Sequence, residues 1–214
     1  MDIKKEIQFL QGYAISSCNV WLCYELASKI KGVDISALQD VVINHGNEDD
    51  IIDFAREVKG ANMMLLQDAI IKLGNGKAMV EFANTIKGSD VEKLQDGVIA
   101  CNDAYVDYMF ARVVKGADVK KLEDAMFKAN CEYEKEYVYT DFAKYVKGAD
   151  KKRLEDAVAK STNVEACREF ANSVKGANKS RLLERASEIE FFDKMLEKRI
   201  EKIKEIQKED EKTL

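Results

Sequence analysis

Residue types that could carry chemistry are few in this sequence, and they are scattered. His45 is the single histidine among 214 residues, and it stands beside Gly46 with no neighbouring ligand residue. Gly74-Asn75-Gly76-Lys77 lacks the spacing of a phosphate-binding loop. Five cysteines occur without C-x-x-C spacing, which favours reduced thiols: Cys18, Cys23, Cys101, Cys131 and Cys167. We therefore expect no catalytic residue, no metal site, no cofactor and no enzymatic activity.

Carboxylates do recur at a regular spacing, and that spacing is the one pattern that could hold a ligand. An acid stands two residues after each of six leucines: Asp40, Asp68, Asp96, Asp124, Asp156 and Glu184. Such a column could bind a basic ligand, or each acid could bond the neighbouring repeat. Paired catalytic carboxylates would need one position that differs from the others, and none does.

The carboxylates belong to a repeat of 28 residues, with one interval of 32. Its marker is Lys-Gly, at Lys31-Gly32, Lys59-Gly60, Lys87-Gly88, Lys115-Gly116, Lys147-Gly148 and Lys175-Gly176. After each glycine, a leucine followed by small and aliphatic residues three and four positions later predicts a helix A. Before each Lys-Gly, an aromatic residue and an alanine, followed by valine or isoleucine, predict a helix B. In the first copy a leucine replaces the aromatic residue. Glycine closes helix B, and Asp or Asn two residues later caps the next helix A.

The unit F-A-x-x-V-K-G-A-[DN]-x3-L-x-D-A-V resembles the short αα-hairpin repeats of many uncharacterised bacterial and phage proteins. More broadly it is similar to α-solenoids of the HEAT and tetratricopeptide classes. The resemblance covers residues 1–182 and implies a partner-binding scaffold without catalytic residues. We expect an all-α, right-handed α-solenoid of about six hairpins plus a long C-terminal helix. The predicted repeats are 1–32, 33–60, 61–88, 89–116, 117–148 and 149–176, which together form an array over 1–176. The predicted C-terminal helix is 177–214.

Charge and hydropathy narrow the classes of partner and compartment. The net charge is -5, and the sequence has no basic stripe, so direct nucleic-acid binding is not favoured. No run of 18 apolar residues and no secretion signal are present, so we expect a cytoplasmic protein that does not enter a membrane. Residues 33–60 are the acidic repeat, and Glu48, Asp49 and Asp50 open its helix B. These acids suit the helix dipole, or they form a docking patch for a basic partner.

Tyrosines concentrate where the repeat is irregular. Residues 105–145 hold six of the eight tyrosines, and the fifth repeat carries four additional residues. Four residues are about one helical turn, so we expect a lengthened helix there. Insertions in repeat proteins often lie on the binding face, and tyrosine is a favoured anchor; the alternative is an aromatic core. The candidate partner-binding residues are Tyr105, Tyr108, Met109, Arg112, Tyr133, Tyr137 and Tyr139.

A second candidate surface follows the B helices, two positions before each aromatic residue. This column turns away from the local core and holds Tyr24, Ile52, Val80 and Tyr108, with acids such as Asp53 beside it. Exposed apolar residues rimmed by acids describe a groove for a helix or loop of another protein. The competing interpretation is that the B helices pack on one another through this column.

The C-terminal residues predict one long helix from Lys179 to about Glu209. Its near-heptad seam either caps the last repeats or pairs with another helix, including that of a second copy in a homodimer. The seam residues are Ile189, Phe192, Leu196, Ile203 and Ile206. Our leading hypothesis is a non-enzymatic scaffold or inhibitor that binds another protein of unknown identity through an extended helical surface. The alternative is a phage-encoded acidic nucleic-acid mimic that blocks a nucleic-acid-handling defence enzyme.

Overall fold

The computed structural model describes residues 2–131 and 134–212, and within these ranges all regular structure is α-helical. The all-α prediction is confirmed. The described part of the chain forms thirteen helices: α1 (Ile3–Ser16), α2 (Val20–Lys29), α3 (Ile35–His45), α4 (Glu48–Glu57), α5 (Met63–Leu73), α6 (Gly76–Thr85), α7 (Val91–Ala100), α8 (Ala104–Val113), α9 (Val119–Lys128), α10 (Lys135–Tyr145), α11 (Lys151–Lys160), α12 (Val164–Ser173) and α13 (Lys179–Lys212).

The chain folds into two compact bodies. The N-terminal body comprises Met1–Asn130 and the C-terminal body Cys131–Leu214. Within each body a helix contacts its chain neighbour and the helix two places further on, as α2 contacts α3 and α4, and α10 contacts α11 and α12. This contact pattern is that of helical hairpins packed in adjacent pairs, as expected for a helical repeat.

Two columns of fully buried side chains form the core of the repeats. The leucines of helix A are Leu38, Leu66, Leu94, Leu122, Leu154 and Leu182, and the aromatic residues of helix B are Phe54, Phe82, Phe110, Phe142 and Phe170. Burying a side chain of this size stabilises the fold by roughly 2–3 kcal/mol. The periodicity read from the sequence therefore identifies the core correctly.

The turn from each helix B to the next helix A has the predicted chemistry. The Lys-Gly glycines have φ between 81° and 93°, a conformation that a residue with a Cβ adopts only with strain: Gly32, Gly60, Gly88, Gly116, Gly148 and Gly176. The caps that accept a backbone N–H of helix A are Asp34, Asn62, Asp90, Asp118, Asp150 and Asn178. Each turn is thus fixed by two residues that act independently.

Consecutive A helices are joined by a partly buried hydrogen bond that the sequence patterns did not predict. The residue after the core leucine reaches the next repeat and accepts the backbone N–H of its cap residue. The pairs are Gln39 with Asn62 at 2.7 Å, and Gln11 with Asp34, Gln67 with Asp90, Gln95 with Asp118 and Glu155 with Asn178, each at 2.8 Å. We call these pairs the clamps. Gln39, Gln67 and Gln95 are only 2–3% exposed, so these clamps place a buried side-chain acceptor on a backbone N–H at the junction of two repeats.

The insertion in the fifth repeat does not lengthen a helix, so that prediction is wrong. Helices α9 and α10 keep 10 and 11 residues, and the additional residues fall between them. Helix α9 ends because the chain becomes extended at Ala129. Asn130 N–H then donates to Asn102 O at 3.0 Å, and Ala104 N–H donates to Asn130 O at 2.8 Å. These backbone bonds hold Asn130 beside the turn between α7 and α8, so the chain has already left the helix where the insertion begins.

Helix α13 is the long C-terminal helix that the sequence predicts. At 34 residues it is about 51 Å long. Leu182, Ala186 and Ile189 are buried on the side that packs against α12. The buried stretch ends at Ile189, so the later seam residues, from Phe192 onward, are exposed. Among the residues described, neither α13 nor any other helix is long and apolar enough to cross a membrane.

Candidate partner-binding surfaces

The acid column on the A helices is largely a set of cross-repeat ion pairs. Its carboxylates meet a lysine or arginine that stands three residues after the cap of the next repeat. The pairs are Asp68 with Lys93, Asp96 with Lys121 and Asp156 with Arg181, each at 2.5 Å. The hydrogen bond to Asp96 raises the pKa of Lys121, and the hydrogen bond from Arg181 lowers the pKa of Asp156. These acids bond neighbouring repeats, and their charge is compensated.

The predicted exposed groove along the B helices is wrong. Ile52, Val80 and Tyr108 are 1%, 6% and 2% exposed, and Tyr24 is half-buried. Helices α2, α4, α6 and α8 contact one another in succession, so this column lies between consecutive B helices. A position turned away from its own hairpin core faces the next hairpin rather than solvent. The competing interpretation, packing of B helices on one another, is the one found.

The acids at the start of α4 are mostly engaged in local structure. Asp50 and Asn47 form a capping box, with Asn47 N–H donating to Asp50 at 2.9 Å. Glu48 accepts from Asn75 Nδ2 at 3.2 Å, and backbone and side-chain hydrogen bonds lower its pKa. Asp49 is exposed, and so is Asp53 of the same helix, whose carboxylate bonds Arg56 at 2.8 Å. This run therefore acts first as a stabilised helix start.

The tyrosines of α8 split between core and edge. Tyr108 is buried, and its hydroxyl accepts from Arg112 Nη1 at 3.0 Å. Tyr105 lies with its ring centre 5.9 Å from that of Tyr108 and is half-buried, as is Met109, whereas Arg112 is exposed. The aromatic-core interpretation holds for Tyr108. Tyr105, Met109 and Arg112 are the accessible members of the predicted anchor on this helix.

On α10 the predicted tyrosines also differ in exposure. Tyr139 is buried, and burial together with the nearby Glu136 raises its pKa to about 12. Tyr133 lies outside the residues that the structure describes. Tyr137 is half-buried at the start of α10. Of the α10 candidates that are described, Tyr137 is the one that a partner can reach.

Tyr137 lies in a cleft of about 530 Å³ in the C-terminal body, formed where the N-terminal ends of α10 and α12 meet. We call it the Tyr137 cleft. Its lining residues are Glu134, Glu136, Tyr137, Thr162, Asn163, Val164 and Glu165. Glu134 stands at the cap position of α10 but makes no cap hydrogen bond with its side chain, and its carboxylate accepts from Asn163 Nδ2 instead. The irregular repeat therefore leaves a carboxylate directed toward the neighbouring helix.

The charged side chains that line the Tyr137 cleft are carboxylates. The pKa of Tyr137 is raised, first by burial and then by the carboxylates of Glu134, Glu169 and Glu165. Arg168 offsets part of this charge, since it bonds Glu165 at 2.9 Å. A lysine or arginine side chain fits such a site, because its charge gains from the carboxylates and from the face of an aromatic ring.

A second cavity, of about 480 Å³, lies in the N-terminal body and has mixed charge. Lysines and aspartates both line it, including Lys120, Lys128, Asp118 and Asp124. With both signs present, the lining favours neither a cationic nor an anionic ligand. Neither cavity was predicted from the sequence. The signal for the Tyr137 cleft is Lys135, seven residues before Phe142, where the other repeats carry Asn or Asp.

Neither a search for metal-binding groups nor a comparison with known proteins identifies a further functional site. Within residues 2–131 and 134–212, no three histidine, cysteine or acidic side chains are grouped so that they could hold a metal ion. Comparison with protein-family models, with curated proteins and with solved structures gives no match for this chain.

Proposed function

We propose that this protein is a non-enzymatic helical-repeat scaffold that binds a basic segment of another protein in the Tyr137 cleft. The observation that carries the proposal is the grouping of three glutamates around a half-buried tyrosine at the one irregular repeat. In the regular repeats, an Asn or Asp occupies the cap position of helix B and bonds its own helix: Asn19, Asn47, Asn75, Asp103 and Asn163. At Glu134 that bond is replaced by one across the cleft.

The binding mode follows from the residues of the cleft. A lysine or arginine side chain enters with its charged group among the carboxylates of Glu134, Glu136 and Glu165. Its aliphatic stem packs against the Tyr137 ring, where a cation above an aromatic face contributes about 0.5–2 kcal/mol. Val164 gives the cleft an apolar wall, so the preferred segment carries an aliphatic residue beside its basic one.

Architecture and compartment form part of the same proposal. The hairpins form a right-handed α-solenoid of about six repeats of the bacterial and phage type, and the protein acts in the cytoplasm. Support comes from the packing of helices in adjacent pairs and from the five cysteines, which are all free thiols. Blocking the partner after binding would make the protein an inhibitor.

The acidic nucleic-acid mimic loses its main support and is not a second candidate. Its motivation was a regular row of carboxylates along the A helices. Lys93, Lys121 and Arg181 each neutralise a member of that row, so the row does not present the uninterrupted negative charge of a nucleic-acid backbone.

Two measurements test the proposal, the first with defined peptides. Short peptides that carry lysine or arginine beside an aliphatic residue are titrated by calorimetry, with glutamate-containing copies as controls. We expect the basic peptides to bind and the Tyr137→Ala variant to bind them about 10-fold or more weakly, as for an aromatic anchor. The affinity should fall with added salt.

The second measurement uses the natural partner, recovered on immobilised protein and identified by mass spectrometry. Tyr145→Ala is the matched control, because Tyr145 is an exposed tyrosine on the same helix but outside the cleft. We expect this control to bind like the parent protein, and the combined Glu134→Gln, Glu136→Gln and Glu165→Gln variant to lose most affinity. A folded Tyr137→Ala protein that retains the parent affinity would overturn the proposal.

A further inference from the structure

Helix α13 has an apolar stripe that the described part of the C-terminal body does not cover. After Ile189 its large apolar side chains are between 40% and 55% exposed along one side: Phe192, Leu196, Ile200, Ile203 and Ile206. We call these five residues the α13 stripe. Isolated exposed apolar residues are ordinary, but a continuous row on one helix marks an interaction surface.

The spacing of the α13 stripe is that of a helix that packs along another helix. Its members follow one another at intervals of four, four, three and three residues. At 100° per residue they lie within an arc of about 120°. Arg199 also falls in this arc, and Ile200 continues the stripe beside it. The helix therefore keeps an apolar line over about 24 Å beyond its buried part.

The balance of basic and acidic residues on α13 distinguishes between the kinds of partner that could cover this stripe. Residues 193–205 contain five basic and four acidic side chains. An anionic lipid surface selects helices whose polar face is rich in lysine and arginine, and this face is nearly neutral. A helix of similar composition is the better match, because acids and bases can then face each other along both edges.

We propose that the α13 stripe pairs with the α13 stripe of a second copy of this chain, with the two helices antiparallel about an axis near Arg199. In that register Phe192 faces Ile206 of the second copy, and Leu196 faces its Ile203. The two Ile200 side chains meet near the axis. An antiparallel pair of this kind is a short coiled coil with knobs-into-holes packing.

Edge charges set the orientation. Asp193 and Lys204 lie on the same edge of the stripe, near its opposite ends. In the antiparallel register Asp193 faces Lys204 of the second copy, and the reverse pair forms by symmetry. The same register brings the two Arg199 side chains together near the axis, where their stems pack along the stripe and their charged groups extend into water. The two Asp193–Lys204 pairs are therefore what favours the antiparallel arrangement.

The contact area indicates a modest affinity. Four of the five side chains are aliphatic and smaller than the roughly 150–250 Å² of an aromatic one, so the half-exposed stripe presents about 400 Å² per copy. Pairing two stripes removes about 800 Å² from water, which is below the roughly 1,000 Å² of a stable specific interface. We therefore expect a weak dimer that forms only at high protein concentration. It does not depend on the Tyr137 cleft, so a Tyr137→Ala protein should dimerise as the parent does.

Sedimentation velocity of the full chain across a range of concentrations tests the pairing. We expect the parent protein to change from monomer to dimer as its concentration rises. Ile203→Glu should weaken association at least about 10-fold, since it places a charge opposite the apolar Leu196 of the second copy. Lys194→Glu is the matched control on the opposite face and should associate normally. Circular dichroism verifies that each variant keeps its helix content.

A charge exchange tests the orientation. Asp193→Lys should weaken the dimer, and adding Lys204→Asp in the same chain should restore it, because the antiparallel pairs are then re-formed with reversed signs. A parent protein that stays monomeric at every concentration would overturn the proposal. So would an Ile203→Glu protein that still dimerises, or a monomer that co-sediments with vesicles of phosphatidylcholine and phosphatidylserine through the stripe.

Discussion

The N-terminal and C-terminal bodies join their repeats with the same hydrogen bond but with different side chains. In the N-terminal body Gln67 accepts the N–H of Asp90, and in the C-terminal body Glu155 accepts the N–H of Asn178, both at 2.8 Å. The two side chains have the same length, so the reach from one repeat to the next is kept. Only the charge has changed.

That change of charge needs a compensating group. Glu155 is buried, and a buried carboxylate without a partner is costly. Arg181 supplies the partner at 3.3 Å from Glu155 and also bonds Asp156 at 2.5 Å. In the N-terminal body the glutamine is neutral, and Lys93 bonds Asp68 alone. The comparison teaches that reach sets the clamp. In both bodies a cation stands three residues after the cap and bonds the exposed acid, and in the C-terminal body it bonds the clamp carboxylate as well.

The bodies also differ at the core position three residues before the aromatic column. In the C-terminal body Cys167 fills it, and in the N-terminal body Ile51 and Met79 do, but Asp107 occupies the same column. Asp107 is fully buried, and neither of its carboxylate oxygens meets a hydrogen-bond donor in the described ranges. Burial, and then the charge of Asp103, raises its pKa to about 7. The N-terminal body therefore contains a group that opposes its own folding.

The largest expected effect comes from replacing this carboxyl group. The folded pKa of Asp107 is about 7 against an ordinary value of 3.8, so the folded protein holds this proton more tightly than the unfolded chain does. Its contribution to stability falls as pH rises from about 4 to about 7, by about 4 kcal/mol in total, and stays low above that range. Asp107→Met should be more stable than the parent by about this amount at pH 8 in urea unfolding, and the gain should shrink toward pH 4.

Asp49→Met is the matched control, because Asp49 is an exposed acid in the same body. We expect its stability to follow the parent protein at every pH. If Asp107→Met and the parent protein lost stability in parallel between pH 4 and pH 8, Asp107 would not be the source of the pH dependence.

The next effect comes from removing a clamp. Gln67→Leu leaves the Asp90 N–H without its buried acceptor, which costs about 1–3 kcal/mol of unfolding free energy. Glu155→Leu should cost about as much in the C-terminal body. Glu155→Gln is the discriminating variant, since it keeps the acceptor and imitates the N-terminal clamp, and should cost less than about 1 kcal/mol. A Glu155→Gln protein as unstable as Glu155→Leu would show that charge, not reach, closes the junction.

The smallest effect is expected at the exposed ion pairs. Lys93→Met removes a pair that is about half exposed, and such pairs contribute about 0–1 kcal/mol and weaken with salt. Arg181→Met should destabilise more, because it also leaves the buried Glu155 without its cation. Thermal unfolding at low and high salt measures both variants. Equal losses for Lys93→Met and Arg181→Met would remove the distinction between the bodies.

The sequence predicts the parts of this fold that one hairpin determines by itself. The glycine turns, the caps and the buried leucines depend on residues within a few positions of one another, and all are found. The clamps were not predicted, because the residue after the core leucine has the pattern of an ordinary boundary position until the next repeat covers it. The B-helix column was misjudged for the same reason.

The candidate site was predicted only in part. Tyr137 was named from the irregular spacing, but its cleft needs Asn163 and Glu165 from α12, and no local pattern relates these to α10. The insertion was expected to extend a helix. Instead it lies between α9 and α10, because Asn130 forms backbone bonds with Asn102 and Ala104. Contacts made between repeats therefore define the surface, whereas contacts made within a repeat define the sequence pattern.

Hydrogen exchange read by mass spectrometry tests the central claim most directly. The protein is measured alone and then with its recovered partner or with a basic peptide that binds. The account predicts slower exchange at residues 134–137 and 162–165, which form the Tyr137 cleft. Protection confined to the N-terminal body, with the cleft amides unchanged, would contradict it.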